Sequence, residues 1–439
     1  MFYELICRES LSHNSSWTRR IEAQREKGRI IMQGPMEVTS DQINLYRLRR
    51  SGLVNPFSSP EECARSLIGA QAQIHTAGGL ALWNRLSHKE FTLKEYERKL
   101  YEDRSLVKIW GQRGTLHVYD SKDWPLIVGS RGNKPTWSER SIANKGGDVE
   151  GFHAIVNKVR KLAGKEGIVS RSMLRDLDVN WDIGVDVDLL SSWGGIFAQL
   201  VSDGTMCHDK PSGGEGRFAH REHWLPEMVW EPPTRDDANV ELARRFLHTF
   251  GPATVKDYAY WRGITAKRAS EGFGALEDEM SKVESGAMEL SILRKDLDIL
   301  MESPPPKIQW PVKLLYRFDP LLLGHKDKSW IIDLKHYNKV WIPAGHINGT
   351  ILAGGRIQGT WNYKRRGGAP GKMGRAGEKG KIERVRGKGN TGRTGTLEIE
   401  VKPFRKFGKR LMRKVEREAK GVAEFFGAQL GEINIQELE

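Results

Sequence analysis

Apolar residues recur along this chain at three- and four-residue steps, then at alternating steps, and the two rhythms follow each other in a repeating order. Thr39 or Ser40 stands as a cap before a helical pattern that runs to Leu48. Ser58-Ser59-Pro60-Glu61-Glu62 supplies a cap, a first-turn proline and first-turn acids for a second helix, on which Cys63, Leu67 and Ala70 share a face. Thr76 heads a third helix, with Ala77, Leu80, Trp83 and Leu86 as its apolar side. A fourth covers 93–100. Residues 106–119 then alternate as a strand pair, with Gly111 and Gly114 allowing a tight tip.

Helices followed by a hairpin form the winged-helix pattern, and it returns twice. After the link Asn144-Lys145-Gly146-Gly147 come helices at 152–162, a short one capped by Ser170, and one at 187–201, then a wing at 206–224; Pro232-Pro233 closes the block. The third block has helices at 236–250, 254–261 and 266–275 and a strand pair ending near Met301. Three such blocks of ~70 to 90 residues are an internal repeat of architecture. Pro304-Pro305-Pro306 reads as a linker. Beyond it, short runs at 312–316, 330–334, 340–343, 350–352, 356–361 and 396–401 predict a β-sheet or barrel, finished by a helix at 406–426.

The expected fold is therefore α+β. Winged-helix units fall at 37–143, 148–232 and 234–302, and a β-barrel-like domain at 308–439 carries an insert at 364–395. Residues 1–36 lack both apolar periodicity and the apolar stretch of a signal peptide, and read as a tail. Met32 and Met36 precede the first ordered pattern, so the functional start is expected there.

One connection carries candidate chemistry. Two residues apart on a helix are roughly 200° apart, whereas in an extended turn Gln71 and Gln73 point the same way and Ala72 opposite. His75 continues that alternation, so an extended connection presenting Gln71, Gln73 and His75 to one side is expected; solvated, idle glutamines at a helix end are the alternative. In the first wing, Arg113 and His117 are candidates for contact with DNA or a reacting base, with a purely structural histidine as the other reading. In 318–329, Asp319 before Pro320 either starts a turn or serves the site, while His325 and Lys326 suit a phosphate or sugar contact.

Composition narrows the partner. A net charge of +14 points to a polyanion, most simply nucleic acid. No run of ~18 apolar residues or basic amphipathic anchor supports a membrane role. Three distant cysteines argue against a disulfide framework or a zinc site and fit a reducing interior. Neither His-Glu-x-x-His, Gly-x-Ser-x-Gly, a P-loop nor Cys-x-x-Cys is present, so no metal or cofactor is expected. The insert is too polar for a core, with Lys364, Arg365, Arg366, Lys372, Arg375, Arg384, Arg386 and Lys388 among its cations. It suits phosphate neutralisation; a solvated loop is the alternative.

A Gln-apolar-Gln element between helices, an Ala-Leu-Trp helix, Arg113-Gly114-Thr115-Leu116-His117, then Phe250-Gly251-Pro252-Ala253-Thr254 and the 318–327 segment resemble the winged-helix crosslink-repair DNA glycosylases (AlkZ/YcaQ-like). The resemblance spans roughly 37–404; the first ~36 residues and the basic insert depart from it, as tails and loop tips commonly do. It implies a monofunctional glycosylase with Gln71 and Gln73 catalytic, acting as a cytoplasmic, nucleoid-associated monomer on double-stranded DNA with alkylated purines or crosslinks. The chemistry is coherent. Glutamine cannot protonate a leaving base, but an N7- or N3-alkylated purine is already cationic and departs neutral, so an amide need only position water and stabilise polarised groups. The competing class is a winged-helix transcriptional regulator whose glutamines contact bases. Three such modules in one chain fit that poorly.

Overall fold

Thr39 closes a capping box with Gln42 ahead of the Ser40–Arg50 helix, and Ser59 caps Pro60–Ser66 with Pro60 in its first turn, so the first two helices begin where the polar signals place them. In this computed structural model residues 24–26, 29–31, 36–87, 90–191, 194–366 and 395–436 are described. The architecture is α+β with several small sheets. Leu106–Trp110 and Leu116–Asp120 form the first expected hairpin, Met206–Ser212 and Glu215–His220 the second, Met280–Ser285 and Met288–Leu293 the third, which stops short of the expected Met301 because Leu297–Met301 is a helix. Each gains a short third strand: Ala70–Gln71, Ile168–Ser170 and Met36–Glu37 respectively.

That last pairing crosses the expected block boundaries. Met36–Glu37 runs parallel to Met280–Ser285, and Val38, Ile43 and Tyr46 pack against Val283, Leu290, Ile292 and Leu300. The strand and helix that open the first block by sequence therefore lie on the third. Periodicity tells which face of a helix is buried, not which neighbour buries it.

Three further expectations are corrected. The helix expected at 187–201 begins only at Gly195 and ends at Ser202, because the preceding Asp-, Gly- and Ser-rich stretch turns back on its own polar side chains, as Asp188 Oδ1 does on Leu190 N at 3.1 Å. Residues 330–334 form turns rather than a strand. The strands after the linker make an open five-stranded sheet, not a closed barrel: Val312–Leu315 and Gln429–Ile435 are its edges, and Gly349–Ala353, Arg356–Arg366 and Thr396–Pro403 lie between. The Lys409–Phe425 helix covers it with Val415, Ala419 and Val422 buried.

This sheet unit braces the glutamine connection. Phe425 packs on Trp83 with ring centres 6.3 Å apart, Thr76 Oγ1 bonds Tyr363 Oη at 3.1 Å, and Asn84 donates to Leu314 O at 3.0 Å. Arg85 and Asp319 add a buried ion pair: two parallel bonds of 2.8 and 2.6 Å join groups that are 0% and 1% exposed. Arg85 also donates to Ser51 O and Ala81 O, each at 2.8 Å, and Asp319 accepts Leu321 N at 3.0 Å. Burial pulls the Arg85 pKa down and the Asp319 carboxylate more than restores it, so the guanidinium stays charged. Among the described residues no helix is long and apolar enough to cross a membrane.

Candidate active site

The helix that approaches the glutamines stops at Ser66, short of the expected Ala70, because Ile68 and Gly69 both turn left-handed, at φ 55° and 87°. Gly69 also lies against the Tyr119 ring, where a Cβ would sit 2.4 Å away, so only glycine admits both the turn and the ring. The chain then joins the first hairpin as its edge strand, with Ala70 opposite Val118 and Gln71 opposite His117. Directly opposed residues share a face of the sheet, which sets Gln71 beside His117. Ala72 N donates to Leu116 O at 2.7 Å and its side chain is fully buried, as the alternation requires.

Both glutamine oxygens are anchored by the hairpin. Gln71 Oε1 accepts from Arg113 Nη2 at 2.8 Å, and Gln73 Oε1 accepts from Leu116 N at 3.2 Å. These bonds fix which end of each amide is oxygen. Neither NH2 group makes a hydrogen bond among the described residues, and each oxygen keeps a second lone pair. Gln71 is 5% exposed and Gln73 half-buried, so the pair is packed against the hairpin rather than solvated on a helix end.

Arg113 occupies the hairpin tip at φ 56°. Its Nη1 donates to Trp261 O at 2.6 Å, and Gly263, at φ 73°, lets the end of the Val255–Arg262 helix press on the tip; a Cβ there would stand 2.9 Å from Arg113 Cα. No carboxylate pairs with Arg113 among the described residues, and burial lowers its pKa. His117 donates Nδ1–H to Thr115 O at 2.9 Å, which leaves Nε2 as an acceptor. Burial, reinforced by the Arg113 charge, pushes its pKa down to about 3, so the ring is neutral at physiological pH. Behind it Tyr119 donates to Gln112 Oε1, and Gln112 Nε2 donates to Ile68 O at 2.6 Å, tying the tip to the left-handed turn. Sequence reading missed Gln112, Tyr119 and Trp261; the one available signal was the adjacency of Gln112 to Arg113.

Other candidates lie elsewhere. His75 does not continue the alternation, because it is the first residue of the His75–Trp83 helix, capped by Ile74 rather than Thr76. It turns to Glu97 at 3.5 Å and to the Tyr96 ring at 5.0 Å, and burial lowers its pKa. Asp319 is held within the interior by Arg85. His325, 2% exposed, donates Nε2–H to Phe250 O at 2.7 Å, and the Lys326 backbone donates to Asp257 Oδ1 at 2.9 Å. The 250–254 and 318–327 segments therefore lock onto each other. Lys364, Arg365 and Arg366 form the exposed end of the Arg356–Arg366 strand, with Arg366 paired to Glu398 at 2.6 Å. Lys372, Arg375, Arg384, Arg386 and Lys388 lie outside the described residues. Among the described residues no group of His, Cys, Asp or Glu could hold a metal ion.

The sequence model of the family described as DNA glycosylase AlkZ-like matches residues 64–425, a span that includes both glutamines and the hairpin. The chain belongs to this family. An interstrand DNA cross-link repair glycosylase of Streptomyces sahachiroi is 24% identical over 336 residues, 74% of this chain and 88% of that protein. The solved structure of Streptomyces sahachiroi DNA glycosylase AlkZ superimposes with a TM-score of 0.72 at 22% identity, covering 91% of this chain and 100% of that one; this likeness shows the fold. As an AlkZ-like DNA glycosylase the chain is an enzyme that acts on the N-glycosidic bond of DNA, and the regulator reading is set aside.

Proposed function

We propose that this chain hydrolyses the N-glycosidic bond of cationic, bulky N-alkylated purines in double-stranded DNA and unhooks interstrand crosslinks built on such purines, with Gln71 and Gln73 as catalytic residues. The observation that carries this is the anchoring of both glutamine oxygens by the hairpin, with two amide NH2 groups left to donate beside a neutral His117. Among the described residues no carboxylate or charged imidazole accompanies them, so none of these protonates a leaving base. A purine that is already cationic leaves without that help. The amides then hold water under the anomeric carbon and stabilise polarised groups, and Arg113 polarises the Gln71 amide while fixing its orientation. A crosslinked base cannot be fully extruded, so the lesion needs an open site rather than a closed pocket. The name of the Streptomyces relative supports the crosslink reading. We read the three helix-and-sheet blocks, 37–143, 148–232 and 234–302, as winged helices around duplex DNA, the chain acting as a monomer.

The test is a duplex carrying one N7-alkylguanine. Free alkylguanine and an intact abasic strand are expected, with no enzyme–DNA species trapped by borohydride, because no amine attacks the sugar. Absence of free base, borohydride trapping, or efficient excision of uracil would each overturn the proposal.

A pH prediction follows from His117. Its folded pKa of about 3 lies below the ordinary ~6.5, so it is neutral throughout pH 6 to 9 and adds no inflection to the rate there. The sign for stability is the matching one. Burial of the neutral ring costs nothing above ~6.5 and up to about 1.4 kcal/mol per unit as pH falls from there toward 3. Single-turnover rates of wild type and His117→Gln should therefore have pH profiles of the same shape. An inflection near 6.5 that vanishes in His117→Gln would make His117 a proton-transfer group.

A further inference from the structure

The hairpin tip that anchors Gln71 also forms one wall of a second feature. A cleft of about 740 Å³ opens between Arg113, the Trp124–Arg131 helix, the start of Trp137–Asn144 and the Gly195–Ser202 helix. Besides Arg113, six cations line it: Arg131, Lys134, Arg140, Arg235, Arg262 and Arg268. Among the described residues no Asp or Glu lines it. Among the described residues only Arg268 of these has carboxylates within ion-pair distance, Asp236 and Glu271. Four of the others are steered by neutral acceptors. Arg131 donates to Lys134 O at 2.7 Å, Arg140 to Pro135 O at 2.6 Å, Arg113 to Trp261 O at 2.6 Å, and Arg262 to Ser130 Oγ. A carbonyl or hydroxyl positions a guanidinium without cancelling its charge.

Gathering like charges with few counterions costs free energy, which a polyanion entering the cleft would recover. The strain is visible at Lys134, whose pKa is lowered by burial and by the neighbouring Arg235, Arg268, Arg262 and Arg140. At the rim Trp137 is 69% exposed. It is the first residue of a helix held by a Thr136–Glu139 capping box, so the ring stands on a rigid base. A fully presented tryptophan among unpaired arginines is the arrangement that binds unstacked nucleotides: a planar platform for a base and cations for its phosphates. The space is too small for a duplex, whose major groove alone is ~12 Å wide. It accommodates a short stretch of one strand.

We propose that this cleft takes up the DNA strand beside the lesion, with Arg131, Lys134, Arg140 and Arg262 neutralising its phosphates and a flanking base stacked on Trp137. The inference rests on the glycosylase reading and adds a step to it: the duplex opens next to the damaged purine, while the purine itself, tethered or not, stays over Gln71 and Gln73. Local strand separation solves the access problem that a crosslink poses to extrusion of the base.

The test uses the full chain and two duplexes, one with a single N7-methylguanine and one undamaged, with thymines flanking the lesion position. The triple variant Arg131→Gln/Lys134→Gln/Arg140→Gln should flatten the log–log salt dependence of binding by about two, at roughly 0.7 to 0.9 for each phosphate that is no longer neutralised. Trp137→Ala should weaken binding of the damaged duplex by about tenfold with the salt slope unchanged. Wild type should make a thymine beside the lesion reactive to permanganate, Trp137→Ala should not, and Trp137→Phe should restore the reactivity. A triple variant with wild-type slope, or unreactive flanking thymines in the wild-type complex, overturns the proposal even if base release is normal. A reduced slope and reactive thymines without any base release would leave the cleft standing and defeat the glycosylase mechanism instead. Unchanged denaturant midpoints confirm that each variant is folded.

Discussion

Alanine at both Gln71 and Gln73 is expected to cut single-turnover release of N7-alkylguanine by about 10²- to 10³-fold, the loss that follows removal of a preorganised donor at a reacting centre. Binding of the same duplex should change far less, because affinity comes from cations and phosphates that the double variant leaves in place. The contrast is the informative part. Gln71 lies between Arg113 and His117 and is 5% exposed, so its loss is expected to remove chemistry before it removes grip. Each single variant carries a structural cost to be measured alongside. Gln73→Ala deprives Leu116 N of its acceptor, and Gln71→Ala does the same to Arg113 Nη2, at about 1 to 3 kcal/mol for a buried donor left unpaired. Denaturant unfolding separates that cost from the rate. Parallel loss of rate and affinity would make the glutamines binding residues only, and a double variant that releases base at the wild-type rate would end the catalytic assignment.

Asp319→Ala is expected to destabilise the protein by about 3 to 5 kcal/mol while leaving the rate of base release per folded molecule unchanged. Arg85 is 0% exposed and would keep its charge in the interior with one side of its guanidinium facing nothing. Its remaining acceptors, Ser51 O and Ala81 O, satisfy hydrogens but carry no net negative charge. The loss also frees Leu321 N at the start of the 318–327 segment, so the junction with 250–254 loosens with it. Chemical denaturation of wild type, Asp319→Ala and the double variant Arg85→Met/Asp319→Leu measures the effect. The apolar pair should recover much of the stability, because a buried ion pair is costly to break and not costly to replace. Wild-type stability in Asp319→Ala with a collapsed rate would return Asp319 to the active site.

The two predictions divide the signature residues into a reacting set and a bracing set, and sequence alone did not make that division. Asp319, His325 and Lys326 read as polar residues in a glycine- and proline-punctuated turn, the usual appearance of a binding loop. The burial of Asp319 against Arg85 and of His325 against Phe250, and the bond that ties the backbone of the exposed Lys326 to Asp257, depend on partners 69 to 234 residues away in the chain. His75 misled for a local reason: the extended run ends at Ile74, and a helix that needs no side-chain cap begins where the alternation was extrapolated.

What the amino-acid sequence determined by itself was local and periodic. Caps at Thr39, Ser59, Thr92 and Thr254 start helices because a side-chain oxygen meets an orphan backbone N–H a few residues on, an interaction wholly within reach of the local chain. The three hairpins, the α+β class and the inward Ala72 between two glutamines followed from alternation in the same way. Tertiary structure alone decided the partners: the first strand and helix docking on the third block, the Arg113 bond to Gln71, the Gly263 contact that supports it, and the convergence of seven cations on one cleft. Each of these joins segments far apart in sequence. A pattern of polar and apolar positions records that a face must be covered or a charge must be faced, while the choice of what covers or faces it is made by the packing of the whole chain.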